Sequence, residues 1–376
     1  MRIIHLAGYG GPYAGSFIPM LRAVLVAARD RGDDVVAAFG STARPDAWRA
    51  LLEDEGVAVR ILDTSTRLAA ARAVARVVGE YAGPTVLHTA FTEFDLAAVA
   101  AARGRPRTAV FWHIHSRAVP GLEIRARNVI KYAAAGRRTA AILCVAPDIA
   151  VAVRRRGGPR RRVEFVANAI DTDAFPLVGA QERASARRAI GTGERAVLLH
   201  FGWDWERKGG DLFLRALCTL RDAGRPVLGV IVGGGRPAEL LAAELKLGHD
   251  LTVLEPRDDL RPLHAAADVF VAASRAEGMP YSVTEALCAG VPVAATDIPG
   301  QRLLCEGLAA ARLTALEAPA LAAAVDELLD RSNEQAAIDA TAAREQIIAR
   351  YDLRPWVAGL LARYDAALLH QRAGSP

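Results

Sequence analysis

Short apolar runs alternate with longer alanine-rich segments along almost the whole chain. The short runs are bounded by turn residues and predict strands. They are Ile3–Leu6, Val35–Phe39, Val57–Ile61, Thr85–Leu87, Thr108–Trp112, Ala141–Val145, Ala196–Leu199, Val227–Val232, Leu251–Leu254, Val269–Ala272 and Val291–Ala294. The segments between them, among them Pro19–Arg31, Gly209–Ala223 and Ser282–Ala289, are long enough to be crossover helices between parallel strands. The pattern therefore predicts an α/β protein with two doubly wound, Rossmann-like sheets.

A polar stretch separates the two series of predicted strands. Phe175–Gly179 contains a proline, and the charged segment Gln181–Arg188 follows before the strands resume at Ala196. We therefore expect an N-terminal domain over residues 1–175 and a C-terminal domain that begins at residue 176. Ligands of such sheets bind beyond the carboxyl ends of the strands, so we expect the functional site in a cleft between the two domains.

The composition is that of an ordinary globular protein. The chain has 376 residues, of which 52% are hydrophobic and 24% charged, which fits two domains with substantial cores. The longest apolar stretches, such as Ala140–Ala146, are far shorter than the ~20 residues that cross a bilayer. Only Ile3–Ala7 separates Arg2 from a glycine-rich turn, so the apolar core of a secretory signal is missing and we expect a cytoplasmic protein.

The abundant alanine and arginine suggest a GC-rich bacterial genome. Neither disulfides nor zinc are expected, because the cysteines are far apart and form no CxxC motif: Cys144, Cys218, Cys288 and Cys305.

Positive charge is concentrated in the first half of the chain. The formal net charge is +5, but residues 1–175 hold 25 basic and 16 acidic residues, a balance of +9, while the remainder holds 22 and 26. Between Arg103 and Glu164 there are 15 basic and 3 acidic residues. One face of the first domain is therefore expected to attract anions.

Three sequence blocks in the middle of the chain resemble one known family. They are Asn168–Phe175, Gly202–Asp211, and Ala267–Gly278 running on into Glu285-Ala286-Leu287 and Gly290–Val293. Their order and spacing resemble those of the retaining glycosyltransferases of family 4, whose pattern is an N-G-hydrophobic-D linker, a G-x5-K-G loop and an E-x7-E acidic pair. The resemblance covers most of the chain and is densest from residue 165 to residue 300.

This resemblance implies a fold and an activity. The fold is GT-B: two Rossmann-like domains facing across a cleft, with a donor-binding C-terminal domain over residues 176–354. The last helix, residues 355–376 with Trp356 and Tyr364, would cross back to the first domain. The activity is transfer of a hexose-type sugar from a UDP- or GDP-sugar to a hydroxyl acceptor, which is a small molecule, a lipid-linked molecule or a glycan.

Glu277 and Glu285 form the acidic pair. Glu277 closes a predicted strand, and Glu285 lies eight residues later in a helix expected to begin near Ser282, on its first turn. By resemblance, Glu277 binds hydroxyls of the transferred sugar and Glu285 binds the ribose. The simpler interpretation of Glu285 is a carboxylate that complements a helix N-terminus. Backbone N–H groups before that helix are expected to meet ligand oxygens, and the candidate donors are Gly278, Met279 and Tyr281.

Lys208 is the candidate cation of the second block. It precedes Gly209-Gly210, where glycine lets a backbone approach phosphate closely. By resemblance, Lys208 neutralises the departing diphosphate; the simpler interpretation is a solvated lysine. The family usually has arginine directly after the glycine that opens this loop, whereas this chain has Trp203. The missing contact is then absent or supplied by another residue such as Arg207.

The first domain offers a glycine loop and a histidine. Gly8–Ser16 follows the first strand, and by resemblance Gly10 and Gly11 approach the donor phosphate; without the family the loop is simply a turn. His115 matches a family histidine that faces the sugar. Alternation along a strand places His113 on the same side as His115, so the assignment between the two stays open.

Gly233–Ala238 permits a competing interpretation. It fits G-x-G-x-x-A after a strong strand, which alone is compatible with an NAD-dependent oxidoreductase. The separate Lys208 and acidic-pair blocks favour a nucleotide-sugar site, in which Gly234 lets the nucleotide pack closely and Arg257 lies by the base. Asp171-Thr172-Asp173 superficially resembles a metal-binding D-x-D motif, but it lies in the linker block without a third acidic ligand. We expect no essential metal and no cofactor.

The basic run Arg154–Arg162 has two interpretations. It is either a solvated face or a contact for an anionic membrane surface, where each basic side chain adds ~1 kcal/mol. Nucleic acid is not expected, because no aromatic residues are interleaved with the arginines. A third functional class, a non-catalytic anion- or membrane-binding relative with a decayed site, follows from the same run.

Overall fold

The computed structural model describes residues 1–116 and 122–373. The chain forms two compact units: Met1–Ala169 together with the chain from Leu353 onward, and Ile170–Asp352. The second unit thus begins a few residues before the predicted boundary at 175/176. The reason is local, because the Ile170 N–H donates to the carbonyl of Tyr351 at 3.0 Å, and the Arg344 guanidinium donates to the carbonyl of Thr172 at 3.0 Å.

The first unit contains a seven-stranded parallel sheet in the order β3-β2-β1-β4-β5-β6-β7. Its strands are β1 Arg2–Ala7, β2 Asp34–Gly40, β3 Ala58–Leu62, β4 Thr85–Ala90, β5 Thr108–Ile114, β6 Ala141–Cys144 and β7 Val163–Phe165. Its helices up to the end of the sheet are α1 Phe17–Asp30, α2 Ala50–Glu53, α3 Arg67–Gly79, α4 Asp95–Ala101, α5 Leu122–Ile130 and α6 Pro147–Arg155, with short 3₁₀ or π turns at Pro45–Ala47, Lys131–Ala135 and Gly136–Arg138.

The second unit contains a six-stranded parallel sheet in the order β10-β9-β8-β11-β12-β13. Its strands are β8 Ala196–Phe201, β9 Val227–Val232, β10 Leu251–Leu254, β11 Val269–Ala272, β12 Val293–Thr296 and β13 Ala311–Thr314. Its helices are α7 Ala180–Ile190, α8 Trp205–Lys208, α9 Gly210–Asp222, α10 Gly235–Glu244, α11 Arg261–Ala266, α12 Tyr281–Cys288, α13 Pro299–Cys305, α14 Ala318–Leu329 and α15 Asn333–Tyr351, with a 3₁₀ turn at Gly248–Asp250.

The last helix, α16 at Leu353–Ala373, belongs to the first unit. Its Tyr364 is fully buried, and the hydroxyl lies 3.1 Å from His5 Nε2 on β1 and 2.6 Å from His88 Nδ1 on β4. Trp356 donates its indole N–H to the carbonyl of Ala167 at 2.7 Å. The return of the C-terminal helix to the first unit, expected from the resemblance, is therefore confirmed.

All eleven predicted strands exist, and the structure adds two. β7 is only three residues long and pairs at the edge of its sheet, where Phe165 is exposed, so it carries no continuous apolar run. β13 follows the alanines of Ala309–Ala311, a composition that favours helix, and pairing with β12 overrides that preference. The predicted helix Gly209–Ala223 begins one residue later, at Gly210, because Gly209 adopts a left-handed φ of 69° between α8 and α9.

The central strands of both sheets are buried, as is usual for parallel sheets covered by helices, and β9 and β11 of the second sheet are buried along their entire length. β1 and β5 are buried along their entire length. Among the residues that the structure describes, none of the helices has the length and apolar character needed to cross a membrane.

Candidate functional site

The candidate site of the second unit lies at the point where its strand order reverses. β8 and β11 are neighbours, but their crossovers lead to opposite ends of the sheet, which opens a crevice at their carboxyl ends. The loops that follow these two strands are joined, because the Arg275 N–H donates to the carbonyl of Arg207 at 2.8 Å and the Arg275 guanidinium binds Asp211 at 2.7 Å. A Cβ atom at Gly209 would overlap the carbonyl oxygen of Ala273. Glycine is therefore required where the two loops meet.

Three charged side chains converge in this crevice. One carboxylate oxygen of Glu277 lies 2.8 Å from Lys208 Nζ, and the other lies 2.9 Å from Arg207 Nη1. Ser274 Oγ also donates to Glu277, at 3.0 Å. The side chains of Lys208 and Glu277 are each 9% exposed, so the interaction is shielded from bulk water.

The electrostatics of Glu277 favour its ionised form. Burial raises the pKa of its carboxyl, but the positive charges of Lys208 and Arg207 lower it more, and the pKa ends below its ordinary value. Burial acts to lower the pKa of Arg207, whereas Glu277 and Asp204 raise it above its ordinary value. The crevice therefore presents two basic side chains beside a carboxylate that accepts hydrogen bonds.

A second layer of residues fixes the backbone of the Glu277 loop. Thr296 Oγ1 donates to the carbonyl of Ser274 at 2.6 Å, and Gln301 Nε2 donates to the carbonyl of Ala272 at 3.0 Å. A Cβ atom at Gly300 would overlap the carbonyl oxygen of Gly278, so α13 packs directly on the loop. Sequence analysis missed these supports. The only indication in the sequence was that Thr296 and Gln301 lie at and after the end of β12, whose carboxyl end is at the same edge of the sheet as those of β8 and β11.

Trp203 connects the charged cluster to a cavity of about 360 Å³. Its ring stacks on Phe201 with a centroid distance of 5.1 Å, and Lys208 Nζ lies 5.8 Å from its ring centroid. The side chain is half exposed. The cavity is lined by Gly202, Trp203, Trp205, Gly233, Gly234, Gly235, Pro237, Leu254, Glu255 and Pro256. It thus opens at the carboxyl ends of β8, β9 and β10.

Two of the predicted donor-binding residues line this cavity. Trp203 and Gly234 are in its wall, and a Cβ atom at Gly233 would lie 2.9 Å from the backbone of Trp203. Glycine is therefore required at this position, where the turn after β9 packs against the backbone of Trp203. Arg257 is exposed and follows the last lining residue, Pro256.

Glu285 occupies a different environment from Glu277. It is the fifth residue of α12, which begins at Tyr281, and therefore lies beyond the expected first turn. This position weakens the interpretation of Glu285 as a helix N-terminal charge. Its carboxylate is buried and lies 3.7 Å from Nε2 of the fully buried His264. Gly278 and Met279 are buried in the loop before α12.

The glycine loop of the first unit is held by one aromatic side chain of its own and by one from outside the loop. The Tyr9 hydroxyl donates to the carbonyl of Tyr13 at 2.8 Å, and the Trp48 indole N–H donates to the carbonyl of Gly11 at 3.1 Å. A Cβ atom at Gly11 would lie 2.9 Å from the Tyr9 hydroxyl, while Gly10 is exposed. The loop follows β1, which neighbours β4 where the order of this sheet reverses.

The two candidate histidines differ in their surroundings. His115 follows the end of β5, and its ring lies 4.8 Å from Phe91 and 4.2 Å from His113. Burial lowers the pKa of His115 to about 4. His113 is deeper, with Nδ1 3.3 Å from Nε2 of His88, and burial holds its pKa well below the ordinary value. His113 therefore continues the buried histidine series that Tyr364 joins, whereas His115 lies at the strand end.

Glu93 is a carboxylate at this edge that sequence analysis missed. It follows Phe91 and Thr92, whose φ angles of 63° and 64° are unusual for residues other than glycine. Its carboxylate is close to Gly8 and Gly40, since Cβ atoms added there would lie 2.8 and 2.6 Å from it. Backbone outliers of this kind concentrate at functional sites, but no sequence motif marks the position.

Solved structures with the same architecture include several glycosyltransferases. The chain matches Anabaena HepE in complex with UDP and glucose with a TM-score of 0.84 at 19% identity, covering 97% of this chain and 100% of that one. It matches WaaG, a glycosyltransferase involved in lipopolysaccharide biosynthesis, with a TM-score of 0.71 at 17% identity, covering 96% and 98%. The two sheets and these neighbours define a GT-B fold.

Two family models match the chain in succession. The model described as Glycosyltransferase Family 4 matches residues 20–174, and the model described as Glycosyl transferases group 1 matches residues 195–331. The second match includes Lys208, Glu277 and Glu285. The chain belongs to the family 4, group 1 glycosyltransferases, which confirms the resemblance carried by the three sequence blocks.

Curated relatives act on different molecules. The GDP-mannose-dependent alpha-(1-6)-phosphatidylinositol monomannoside mannosyltransferase of Mycolicibacterium smegmatis is 31% identical over 197 residues, which are 48% of this chain and 50% of the relative. The 2-deoxystreptamine glucosyltransferase of Streptomyces kanamyceticus is 28% identical over 226 residues, 57% of each chain. The chain spans about half the length of these curated relatives.

Proposed function

We propose that the protein transfers a hexose-type sugar from a UDP- or GDP-sugar to a hydroxyl acceptor, with retention of the anomeric configuration. The observation that carries this proposal is the convergence of Lys208 and Arg207 on Glu277, beside the cavity that Trp203 lines. Two cations suit a diphosphate, a carboxylate suits sugar hydroxyls, and a cavity with glycine and aromatic walls suits a nucleoside.

In this proposal the diphosphate is held by positive charge that the protein supplies. Lys208 and Arg207 neutralise the charge that grows on the leaving diphosphate, so the chemistry needs no essential metal or cofactor. Arg207 takes the part of the family arginine that Trp203 replaces. Glu277 accepts hydrogen bonds from the sugar, Glu285 binds the ribose, and His115 of the first unit contacts the sugar.

The proposed reaction follows a front-face route without a side-chain nucleophile. The bond between the anomeric carbon and the diphosphate oxygen breaks, and a bond to the acceptor oxygen forms on the same face. The acceptor proton passes to the leaving diphosphate. Backbone N–H groups of Gly278, Met279 and Tyr281, at the start of α12, would add to the stabilisation of that diphosphate.

The acceptor is proposed only by class. The relatives described above are named for phosphatidylinositol monomannoside and for 2-deoxystreptamine, so lipid-linked, glycan and small hydroxyl-rich acceptors all fit. A peripheral contact with anionic membrane through Arg154–Arg162 belongs to the lipid alternative. It is supported by a concavity of about 490 Å³ that is lined by Val151, Arg154, Arg155 and Arg160.

Turnover by site variants tests the proposal. Lys208→Ala and Glu277→Gln are expected to lower the release of nucleoside diphosphate from a UDP- or GDP-sugar at least about tenfold, since each removes a charge-assisted contact of roughly 1.5 to 3 kcal/mol. Glu334→Gln, at an exposed position of α15, is the matched control and should retain activity. Unchanged rates in both site variants would reject the assignment.

The two competing functions predict other results. An NAD-dependent oxidoreductase, to which the glycine turn at Gly233–Gly235 alone would point, requires a cofactor-dependent absorbance change near 340 nm. A non-catalytic anion- or membrane-binding protein requires binding that survives Lys208→Ala and Glu277→Gln and weakens with salt. The family membership and the intact ion pairs of Glu277 favour sugar transfer over both.

A further inference from the structure

A groove lined by arginines lies at the opposite edge of the first sheet from its glycine loop. It has a volume of about 680 Å³ and includes Thr108, the first residue of β5, and Ala140, which directly precedes β6. These positions place it at the amino ends of the strands, whereas the ligands of parallel sheets usually bind at the carboxyl ends. We call it the arginine groove, after its five arginines: Arg103, Arg105, Arg137, Arg138 and Arg162.

Among the residues that the structure describes, no negative charge compensates the arginines of the groove. None of its lining residues is acidic, and within the described part of the chain none of its five arginines forms a salt bridge. Glu164 is close to Arg162 in sequence, but its carboxylate lies 3.3 Å from Arg363 and not beside an arginine of the groove. Like charges held around one concavity repel each other, and a bound anion would remove that cost.

Some of these guanidinium groups are already fixed in place. Arg162 donates to the carbonyl oxygens of Arg137 and Thr139, and Arg105 donates to the carbonyl of Val78 at 3.4 Å. Gly136 packs tightly beside Pro159, which brings together the segment that carries Arg137 and Arg138 and the segment that carries Arg162. Carbonyl anchoring leaves further N–H donors on each guanidinium group, so less side-chain entropy is lost when an anion binds.

The shape and chemistry of the groove select the ligand class. Guanidinium groups bind phosphate in a bidentate geometry, and the volume is in the range of small-molecule sites. Val99, Ala102, Pro106 and Ala367 are apolar residues of the same lining. We infer that the arginine groove binds a ligand that carries clustered phosphate groups, either a soluble polyphosphorylated molecule or the headgroups of anionic lipid.

A double variant with a matched control tests this inference. Arg137 and Arg138 are exposed, so R137Q/R138Q removes two charges from the groove without opening the core. R72Q/R76Q removes two exposed charges from α3 of the same unit and is the control. The probes are inorganic triphosphate, measured by calorimetry, and phosphatidylcholine vesicles with or without phosphatidylglycerol, measured by cosedimentation.

The expected result is a loss of affinity confined to the groove variant. R137Q/R138Q should weaken binding about tenfold or more, while R72Q/R76Q and Lys208→Ala retain the groove-dependent binding. Loss of triphosphate binding identifies a soluble ligand, and loss of binding to phosphatidylglycerol vesicles alone identifies lipid headgroups. Absence of binding to both probes, or equal binding by the wild-type protein and both double variants, would overturn the inference.

The inference stands apart from the proposed sugar-transfer site. R137Q/R138Q should retain binding of the nucleotide sugar, because its residues take no part in the Lys208 cluster. Lys208→Ala should lose sugar transfer but retain binding in the groove. Failure of the groove and failure of the donor site are therefore separate outcomes.

Discussion

Trp203 is the residue of the proposed donor site that differs from the usual family pattern. It lies where the family usually has arginine, lines the cavity and is close to Lys208. Its side chain is 47% exposed, so little core packing depends on it. Its flat, open ring offers a surface on which a base can stack.

We therefore expect Trp203→Ala to weaken nucleotide binding while the fold is retained. Stacking of a base on an aromatic ring is worth roughly 1 to 3 kcal/mol, which corresponds to about a fivefold to hundredfold loss of affinity for UDP or GDP. Calorimetric titration measures it. Leu240→Ala, at an exposed apolar position on α10, should bind like the wild type; equal affinity in Trp203→Ala would exclude stacking.

Substitution of Gly209 should lower the stability of the protein at the same site. Its φ is 69°, and a Cβ atom would overlap the carbonyl oxygen of Ala273. Gly191 has a similar φ of 66° but has no neighbouring atom within 4 Å of that added Cβ position. Gly191→Ala should lower the free energy of unfolding by the left-handed cost alone, about 1 to 2 kcal/mol.

Gly209→Ala should lower the free energy of unfolding clearly more than Gly191→Ala, because overlap adds to the same backbone cost. Denaturant unfolding of the two variants compares them directly. Equal losses would mean that the loops after β8 and β11 tolerate separation and that their contact does not define the site.

At the scale of elements, the Tyr364 hydroxyl of α16 contacts two strands of the first sheet. Tyr364 joins His5 of β1 to His88 of β4 in a fully buried position. Tyr364→Phe leaves buried ring nitrogens without this partner, which costs roughly 1 to 3 kcal/mol. We expect a corresponding fall in thermal stability, whereas Tyr13→Phe, in the glycine loop, should change it little. No fall in Tyr364→Phe would show that the hydroxyl contributes nothing to the docking of α16.

The elements also show which features a sequence can predict. β1 and β8 were predictable because strands buried on both faces read as continuous apolar runs. β7 and β13 were not, because edge pairing and not apolar character determines them. Lys208 and Glu277 were found from their spacing in the family blocks, whereas the supporting contacts of Thr296 and Gln301 arise only when distant loops meet.

The arrangement of charged residues was also only partly predictable from the sequence. The concentration of arginine after Arg103 was evident from counting, but the arginines form one groove only because segments distant in sequence meet, as Gly136 and Pro159 do. Sequence spacing likewise predicted that Glu285 and Glu277 act at one site. Only the structure shows that the Glu285 carboxylate is buried, 3.7 Å from His264. Burial and tertiary approach are the quantities that local patterns do not contain.

At the scale of the whole molecule, buried histidines set the response to acid. Burial lowers the pKa of His5 to about 3 and those of His115 and His200 to about 4, from an ordinary value of 6.5. Above that value these groups are neutral in both the folded and the unfolded protein. As pH falls below 6.5 the unfolded chain binds protons that the folded protein cannot, so the free energy of unfolding decreases.

We therefore expect the stability to fall steeply between pH 6.5 and pH 4. Each such histidine lowers the free energy of unfolding at pH 5 by about 2 kcal/mol. Denaturant unfolding across this range measures the slope. His200→Asn should reduce the dependence of the free energy of unfolding on pH by the equivalent of about one bound proton, and substitution of the exposed His249 is the control. An unchanged pH dependence in His200→Asn would contradict the lowered pKa of His200.

The central claim is that the crevice between the loops after β8 and β11 holds a nucleoside diphosphate sugar. Its most direct test is calorimetric titration of the wild-type protein and Lys208→Ala with UDP- and GDP-sugars. The account predicts one site per chain with a clear preference for one base, and an affinity at least about tenfold lower in Lys208→Ala. Wild-type protein that binds none of these donors, or a Lys208→Ala variant that binds them equally well, would contradict it.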